Sequence, residues 1–312
     1  MRMESRCQED WLTWLLARPE TADGRTYMEI KWHDDACPKM NVKEKKDVTF
    51  LTHPALDALS GIVHGFSTRL GGVSKGIYSS MNLSFARGDE EADVRENYER
   101  LAAAIGFSAA DIVTSDQTHT TNVRVITEAD RGKGITCPRD YTDVDGMITN
   151  VPGLVLATFY ADCVPLYFVD PVNGAIGLSH SGWRGTAGKI GQVTIQKMGE
   201  EYGSRPQDIY AAIGPSICQN CYEVSEDVID QFREAFDKKC WDALFYAKPN
   251  GKYQLNLWEA NRMIMEEAGI PADHISMPNL CTCCNPEFLF SHRASQGKRG
   301  NLGAFLGLRK FW

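Results

Sequence analysis

The sequence predicts one mixed α+β domain in which strands outnumber helices. Short apolar runs bounded by turn residues recur from Val48 to Ser179, four longer stretches repeat apolar residues at helical spacing, and no Ser/Gly/Pro linker or fixed-period repeat divides the chain after Asp47. Of 312 residues, 43% are hydrophobic and 24% charged, the balance of an ordinary globular protein. A chain of this length buries roughly three quarters of its unfolded surface, so its core needs neither disulfide nor metal.

Taken in order, residues 1–46 are charged, rich in Trp and without sustained period, and are expected to form an N-terminal extension to a domain spanning 47–312. Val48 to Leu51 and Ile62 to Phe66 read as strands around a Pro-bearing helical turn, followed by a glycine-bearing polar loop from Ser67 to Lys75. Asp93 to Ile105 aligns Val94, Tyr98, Leu101, Ala102 and Ile105 on one helical face, and Gly106 stops the helix. Strands are predicted at 112–115, 123–127, 147–149, 154–160, 166–170 and 175–179. The run Leu154 to Tyr160, apolar at nearly every position, is expected to be buried on both faces. A helix follows over 186–202, a strand over 209–213, a helix over 225–239 capped by Ser225, and a helix over 256–268 capped by Asn256. The last strands are expected at 288–292 and 304–308.

Several function classes are excluded. No apolar stretch approaches the length of a membrane span, since Asp162 interrupts the longest one. A net charge of −8, with Lys43 to Lys46 the only dense basic run, argues against nucleic acid. Charges from Arg2 to Asp10 precede the short apolar stretch Trp11 to Ala17, which is no signal peptide, so the expected compartment is the cytoplasm and the ten cysteines are expected to be mostly reduced.

Reactive residues fall at three strand ends: His119 after the strand that begins at Ile112, Asp162 and Cys163 after the buried strand 154–160, and His180 after the strand 175–179. If these ends converge, two imidazoles and one thiolate form a zinc ligand set with the fourth tetrahedral position open, as in catalytic sites. A Cys163 thiolate activated by His119 or His180 would instead serve as the nucleophile of a hydrolase. Asp162 sits in an apolar run, where a carboxylate is costly unless hydrogen-bonded or functional. Glycines 182, 185, 188 and 191 suit either an anion site or close helix-to-sheet packing. Arg69 with Gly71, Gly72 and Ser74 offers a second anion site or an ordinary turn. Cys218-x-x-Cys221 and Cys281-x-x-Cys284 form a pair of pairs, but their separation in sequence favours packed free thiols over a structural metal.

The segments Gly65-Phe-Ser-Thr-Arg-Leu-Gly-Gly-Val-Ser74, Gln117-Thr-His119, Asp145-Gly146, Ala161-Asp-Cys163, His180-Ser-Gly-Trp-Arg-Gly185, Ile213-Gly-Pro-Ser216, Cys221-Tyr-Glu223 and Ser291-His-Arg293 together resemble the laccase-domain family of purine nucleoside phosphorylases, also labelled polyphenol oxidase and peptidoglycan editing factor. The resemblance runs from about Ile62 to Leu308. It implies a single mixed β-sandwich domain flanked by helices, with zinc held by His119, Cys163 and His180. It also implies phosphorolysis of adenosine, inosine, guanosine and methylthioadenosine, and deamination of adenosine. The chain departs from the family pattern after Arg293, in Ala294-Ser-Gln-Gly297-Lys-Arg-Gly300.

Seven histidines without one His-x-His pair speak against a multicopper laccase, although adventitious copper at an open His/Cys/His site could give slight oxidase activity. Zinc can activate a water for attack at C6 of adenine. The working assignment gives Arg69 and Arg184 to phosphate, and Asp162 with the metal to the base or sugar. The expected partners are purine nucleosides and phosphate, with the chain a monomer or weak homo-oligomer. The alternatives are a Cys/His amide hydrolase editing peptidoglycan precursors and a zinc-stabilised binding module without turnover.

Overall fold

The computed structural model describes residues 29–310, and the compact unit that holds every described strand and helix begins at Lys31. The apolar stretch Trp11 to Ala17 lies outside the described residues. The first six-stranded sheet runs, edge to edge, Asn41–Lys45 (β1), Val48–Thr52 (β2), Ile62–Ser67 (β3), Leu302–Leu308 (β15), Val155–Tyr160 (β7) and Ile112–Thr114 (β4). The second runs Ile275–Ser276 (β14), Tyr210–Ile213 (β10), Val164–Asp170 (β8), Ala175–Ser181 (β9), Gly146–Thr149 (β6) and Val123–Val125 (β5). A small third sheet joins Glu223–Val224 (β11), Tyr253–Leu255 (β13) and Phe245–Ala247 (β12). Pairing is antiparallel except for β4 on β7, β5 on β6 and β14 on β10.

The two large sheets stack through β7, β15 and β9 into a mixed α/β sandwich with a helical layer on each outer face. Pro54–Asp57 (α1) and Trp241–Leu244 (α6) are single helical turns. Over the first sheet lies the helix Glu91–Ile105 (α2), whose Val94, Tyr98, Leu101 and Ile105 pack against Phe50, Val155 and Phe305. Burying each such side chain stabilises by roughly 1.5–3 kcal/mol. Gly106, at φ 112, ends α2 in the left-handed conformation that glycine adopts without strain. Over the second sheet lie Ile190–Tyr202 (α4) and Leu257–Glu267 (α7), with Ile190, Ile195, Met198 and Ile264 against Leu166, Phe168 and Ile213.

Because each large sheet is covered on both sides, its central strands read as continuous apolar runs. In β7, Val155 and Ala157 face α2, while the Tyr160 hydroxyl crosses the sandwich to donate to the Ser179 carbonyl at 3.1 Å. In β8, Val164, Leu166 and Phe168 face the outer helices, while the Tyr167 hydroxyl donates inward to the Gly65 carbonyl at 3.2 Å.

Four expectations are corrected. Strand β1 lies within the segment read as an extension and pairs with β2 along its full length. The helix expected over 186–202 begins earlier and is broken: Trp183–Ala187 (α3) is separated from α4 at Gly188 and Lys189, and Lys189 turns left-handed at φ 57. The helix Glu226–Ala235 (α5) stops short of Lys239, and Ser225, though its N-cap residue, bonds the Asp227 carboxylate rather than a backbone amide. Residues 288–292 form turns, not a strand. Phe288 and Leu289 both donate to the Asn285 carbonyl, which places Phe288, Leu289 and Phe290 in the core from coil.

A candidate metal centre at the seam between the sheets

The chain passes from the first sheet to the second twice at the same end of the sandwich, and each passage delivers a reactive residue. Between β4 and β5 runs the loop with His119, and between β7 and β8 the turn with Cys163. Gln117 fixes the first loop. Its side-chain amide donates to the Phe159 carbonyl and accepts from the Phe159 amide, both at 2.7 Å, extending the β4–β7 pairing by side chain. His180 lies within β9, which is two residues longer than expected, opposite Pro165 of β8.

The ligand atoms of His119, Cys163 and His180 come within 4.8 Å of one another, with His180 buried, Cys163 half-buried and His119 exposed. The two imidazoles meet edge to face at 4.9 Å. Gly182 makes the approach possible: a Cβ there would sit 2.9 Å from His119 Cδ2 and 3.3 Å from Cys163 Sγ. Two ligand positions are flanked or occupied by left-handed non-glycine backbone, His119 at φ 68 and Asp162 at φ 89, a conformation that costs of order 1–3 kcal/mol and gathers at functional sites.

Asp145, fully buried, organises both histidines. One oxygen accepts from His180 Nδ1 at 2.7 Å, and the other accepts from the amides of Thr118 and Thr120 on either side of His119, at 2.9 and 3.0 Å. Burial works to raise its pKa, but these donors more than offset it and hold the carboxyl below its usual range. With Nδ1 so engaged, His180 has Nε2 left for a ligand, the carboxylate–histidine arrangement common behind metals. Burial also opposes charge on Cys163, yet the neighbouring imidazoles pull its thiol down to about 6, while Cys163 and Asp145 lift His180 to about 9. One thiolate sulfur and two imidazole nitrogens within 4.8 Å of one another fit a divalent cation in both donor type and spacing, once His180 gives up its extra proton.

These residues form one wall of a cavity of about 630 Å³ that is also lined by Phe85, Tyr98, Tyr141, Phe159 and Tyr160. Arg87, Arg139 and Arg299 line it as well. Arg139 is committed to Asp116 at 2.7 Å and to Thr114 and Ser115. Arg299 is buried: a terminal nitrogen donates to the Gly300 carbonyl at 3.2 Å and to the Asn301 side chain, Nε lacks a partner, and burial together with the charge of Arg87 pulls its guanidinium down to about 10.

The other expected site residues lie elsewhere. Arg69 is not at the cavity: Nε donates to the Ser79 carbonyl at 2.9 Å and a terminal nitrogen to the Pro286 carbonyl at 2.7 Å, with the guanidinium over Phe290. Arg184 is exposed and stacks on Trp183 at 4.2 Å. The Asp162 carboxylate accepts from Thr282 Oγ1 and from the Arg293 amide, both at 2.7 Å, and its carbonyl accepts from the Ile217 amide. Asp162 thus anchors the turn that presents Cys163. Glycines 182 and 188 admit the His119 loop, with Cβ positions 2.9 Å from His119 and 2.7 Å from Thr121, so close packing accounts for these two; at Gly185 and Gly191 a Cβ would make only ordinary contacts, none under 3.4 Å. Sequence reasoning missed Arg299 and the role of Asp145. Only Asp145-Gly146 carried a signal, as a carboxylate before an apolar strand.

The four cysteines expected to pack as separate thiols instead come together: the sulfurs of Cys218, Cys221, Cys281 and Cys284 lie within 4.8 Å of one another. Among the described residues, no helix is long and apolar enough to cross a membrane.

A two-sheet sandwich with a His/Cys/His cluster at its seam defines the class. Residues 63–309 match the profile of the family described as multi-copper polyphenol oxidoreductase laccase, and the chain belongs to that family. It is 40% identical over 253 residues to the purine nucleoside phosphorylase YlmD of Bacillus subtilis (strain 168), covering 80% of this chain and 89% of YlmD. It is 36% identical to the adenosine deaminase RL5 of an unknown prokaryotic organism, covering 74% of this chain and 88% of RL5. The crystal structure of YlmD from Geobacillus stearothermophilus superposes with a TM-score of 0.80 at 37% identity, covering 88% of this chain and all of that one.

Proposed function

We propose that the protein is a zinc-dependent purine nucleoside phosphorylase acting on adenosine, inosine, guanosine and methylthioadenosine, with adenosine deaminase activity, working in the cytoplasm. The observation that carries this reading is the convergence of His119, Cys163 and His180 on a cavity with aromatic walls that Arg87 and Arg299 also line. A cavity of about 630 Å³ lies within the 300–1,000 Å³ typical of small-molecule sites. The names of the relatives YlmD and RL5 support both reactions.

Zinc held by the trio would supply Lewis acidity beside the substrate. The chain's own residues do the rest. Phe85, Tyr98 and Phe159 give the cavity an aromatic wall on which a purine could rest. Arg299, with Arg87, is assigned to phosphate in place of Arg69 and Arg184, because two guanidiniums that line one cavity and repel one another are relieved by a dianion. Asp145 holds His180 in the tautomer that presents Nε2, and Asp162 positions the Cys163 turn rather than touching the base.

The test is a chromatographic assay of metal-replete protein on adenosine with and without phosphate. Phosphate-dependent adenine and ribose 1-phosphate, together with inosine, are expected; no product in either condition overturns the reading. Cys163→Ala should lose the trio's metal and every nucleoside activity together, and a fully active variant would refute the role of the trio. The thiolate–imidazolium pair of Cys163 and His180 also suits the amide-hydrolase reading. Chelation separates them, since a thiol hydrolase keeps its activity when metal is removed.

A further inference from the structure

Cys218 and Cys221 flank the short turn that follows β10, and Cys281 and Cys284 flank another turn 63 residues further on, after β14. The two turns are zipped together: Ser216 bridges to Cys281, and the Thr282 amide donates to the Ser216 carbonyl at 3.2 Å. Their sulfurs form one cluster, with Cys221 and Cys284 at 3.4 Å and all four within 4.8 Å. The Cys218 amide donates to Cys281 Sγ at 3.2 Å, the kind of backbone donor that stabilises a ligating thiolate. Cys218 and Cys281 are buried while Cys221 and Cys284 remain partly open, which leaves an ion a way in.

We propose that Cys218, Cys221, Cys281 and Cys284 bind one structural zinc ion, separate from the His119–Cys163–His180 centre. Two C-x-x-C pairs give four soft donors on two turns, the closed set of a structural site with no position left for substrate. Binding displaces four thiol protons, so one Zn²⁺ and four thiols give one tetrathiolate of charge −2 and four protons. Packing alone does not account for the cluster, because a thiol used as a small apolar group has no need of three other sulfurs or of an amide donor.

The ion has a structural task. The turns it would tie together carry the Ile217 amide and the Thr282 hydroxyl that hold Asp162, whose left-handed turn presents Cys163. Zinc at the four thiols therefore fixes the partners of that turn without touching substrate.

The experiment uses the full chain carrying Cys163→Ala, which removes the thiolate of the other centre. Elemental analysis and native mass spectrometry are expected to find one zinc per chain that survives gel filtration. Cobalt exchanged into the same variant should show the strong sulfur-to-metal absorption of a tetrathiolate. Adding Cys221→Ser and Cys284→Ser should reduce the metal to none; should that variant fail to fold, the native mass and cobalt spectrum of Cys163→Ala carry the test alone. A metal-free Cys163→Ala chain, or one lighter by two or four hydrogens through disulfides, overturns the proposal. Iron in place of zinc overturns the assignment of the metal. Each of these readouts is independent of nucleoside turnover.

Discussion

Asp145 joins two strand ends with one carboxylate, and the charge it fixes on His180 makes metal uptake depend on pH. With Cys163 near 6 and His180 near 9, the metal-free chain between those values holds thiolate facing imidazolium. A metal requires His180 neutral, so each ion bound expels one proton from this pair. Affinity should therefore rise about tenfold per pH unit between those values and level off above. Competition against a chromophoric chelator measures it, and a flat profile would mean that His180 is neutral without metal. Arg299→Ala should raise the phosphate KM for phosphorolysis by about tenfold or more and leave deamination within about twofold, because losing a charged contact of roughly 1.5–3 kcal/mol falls on the anion alone. Equal loss of both activities would remove Arg299 from phosphate. At this scale the sequence was legible where chemistry sat at a strand end, as with His119, Cys163 and His180. It was not legible for Arg299, whose only distinction is a partnerless nitrogen in a cavity built from distant segments.

Among elements, the five-residue helix α3 has the sharpest constraint. Gly182, the N-cap of α3, has φ −71 and ψ 175, a backbone that alanine adopts freely, so Gly182→Ala strains nothing locally. Its new methyl would press on His119 and Cys163 instead. The expected outcome is a folded protein, with thermal midpoint within a few degrees of wild type and metal affinity and turnover reduced at least tenfold. Unchanged metal binding would show that the His119 loop can retreat. The central strands were readable because covering both faces of each sheet leaves an apolar run. The break between α3 and α4 was hidden, since helical periodicity continues across Gly188 and Lys189, where Lys189 turns left-handed and Gly188 lies against Thr121. The small sheet of β11, β13 and β12 was also missed. Its strands are two or three residues long and partly exposed, too short to establish a period.

For the molecule as a whole, the sandwich is joined across its middle by tyrosine hydroxyls as well as by apolar packing. Tyr167→Phe removes the bond to the Gly65 carbonyl and should cost about 1 kcal/mol in urea unfolding without changing the slope. No loss would mean that side-chain packing alone carries the sheet interface. The fold class was accessible from the alternation of strands and helices, whereas the division of strands between two sheets was not, because it depends on β4 pairing with β7 in one and β5 with β6 in the other. His119 and Cys163 are both carried on passages from one sheet to the other, so neither sheet by itself can assemble the trio. Sheets formed but undocked would hold the three residues apart, so a metal bound by all three would report that the two sheets have met.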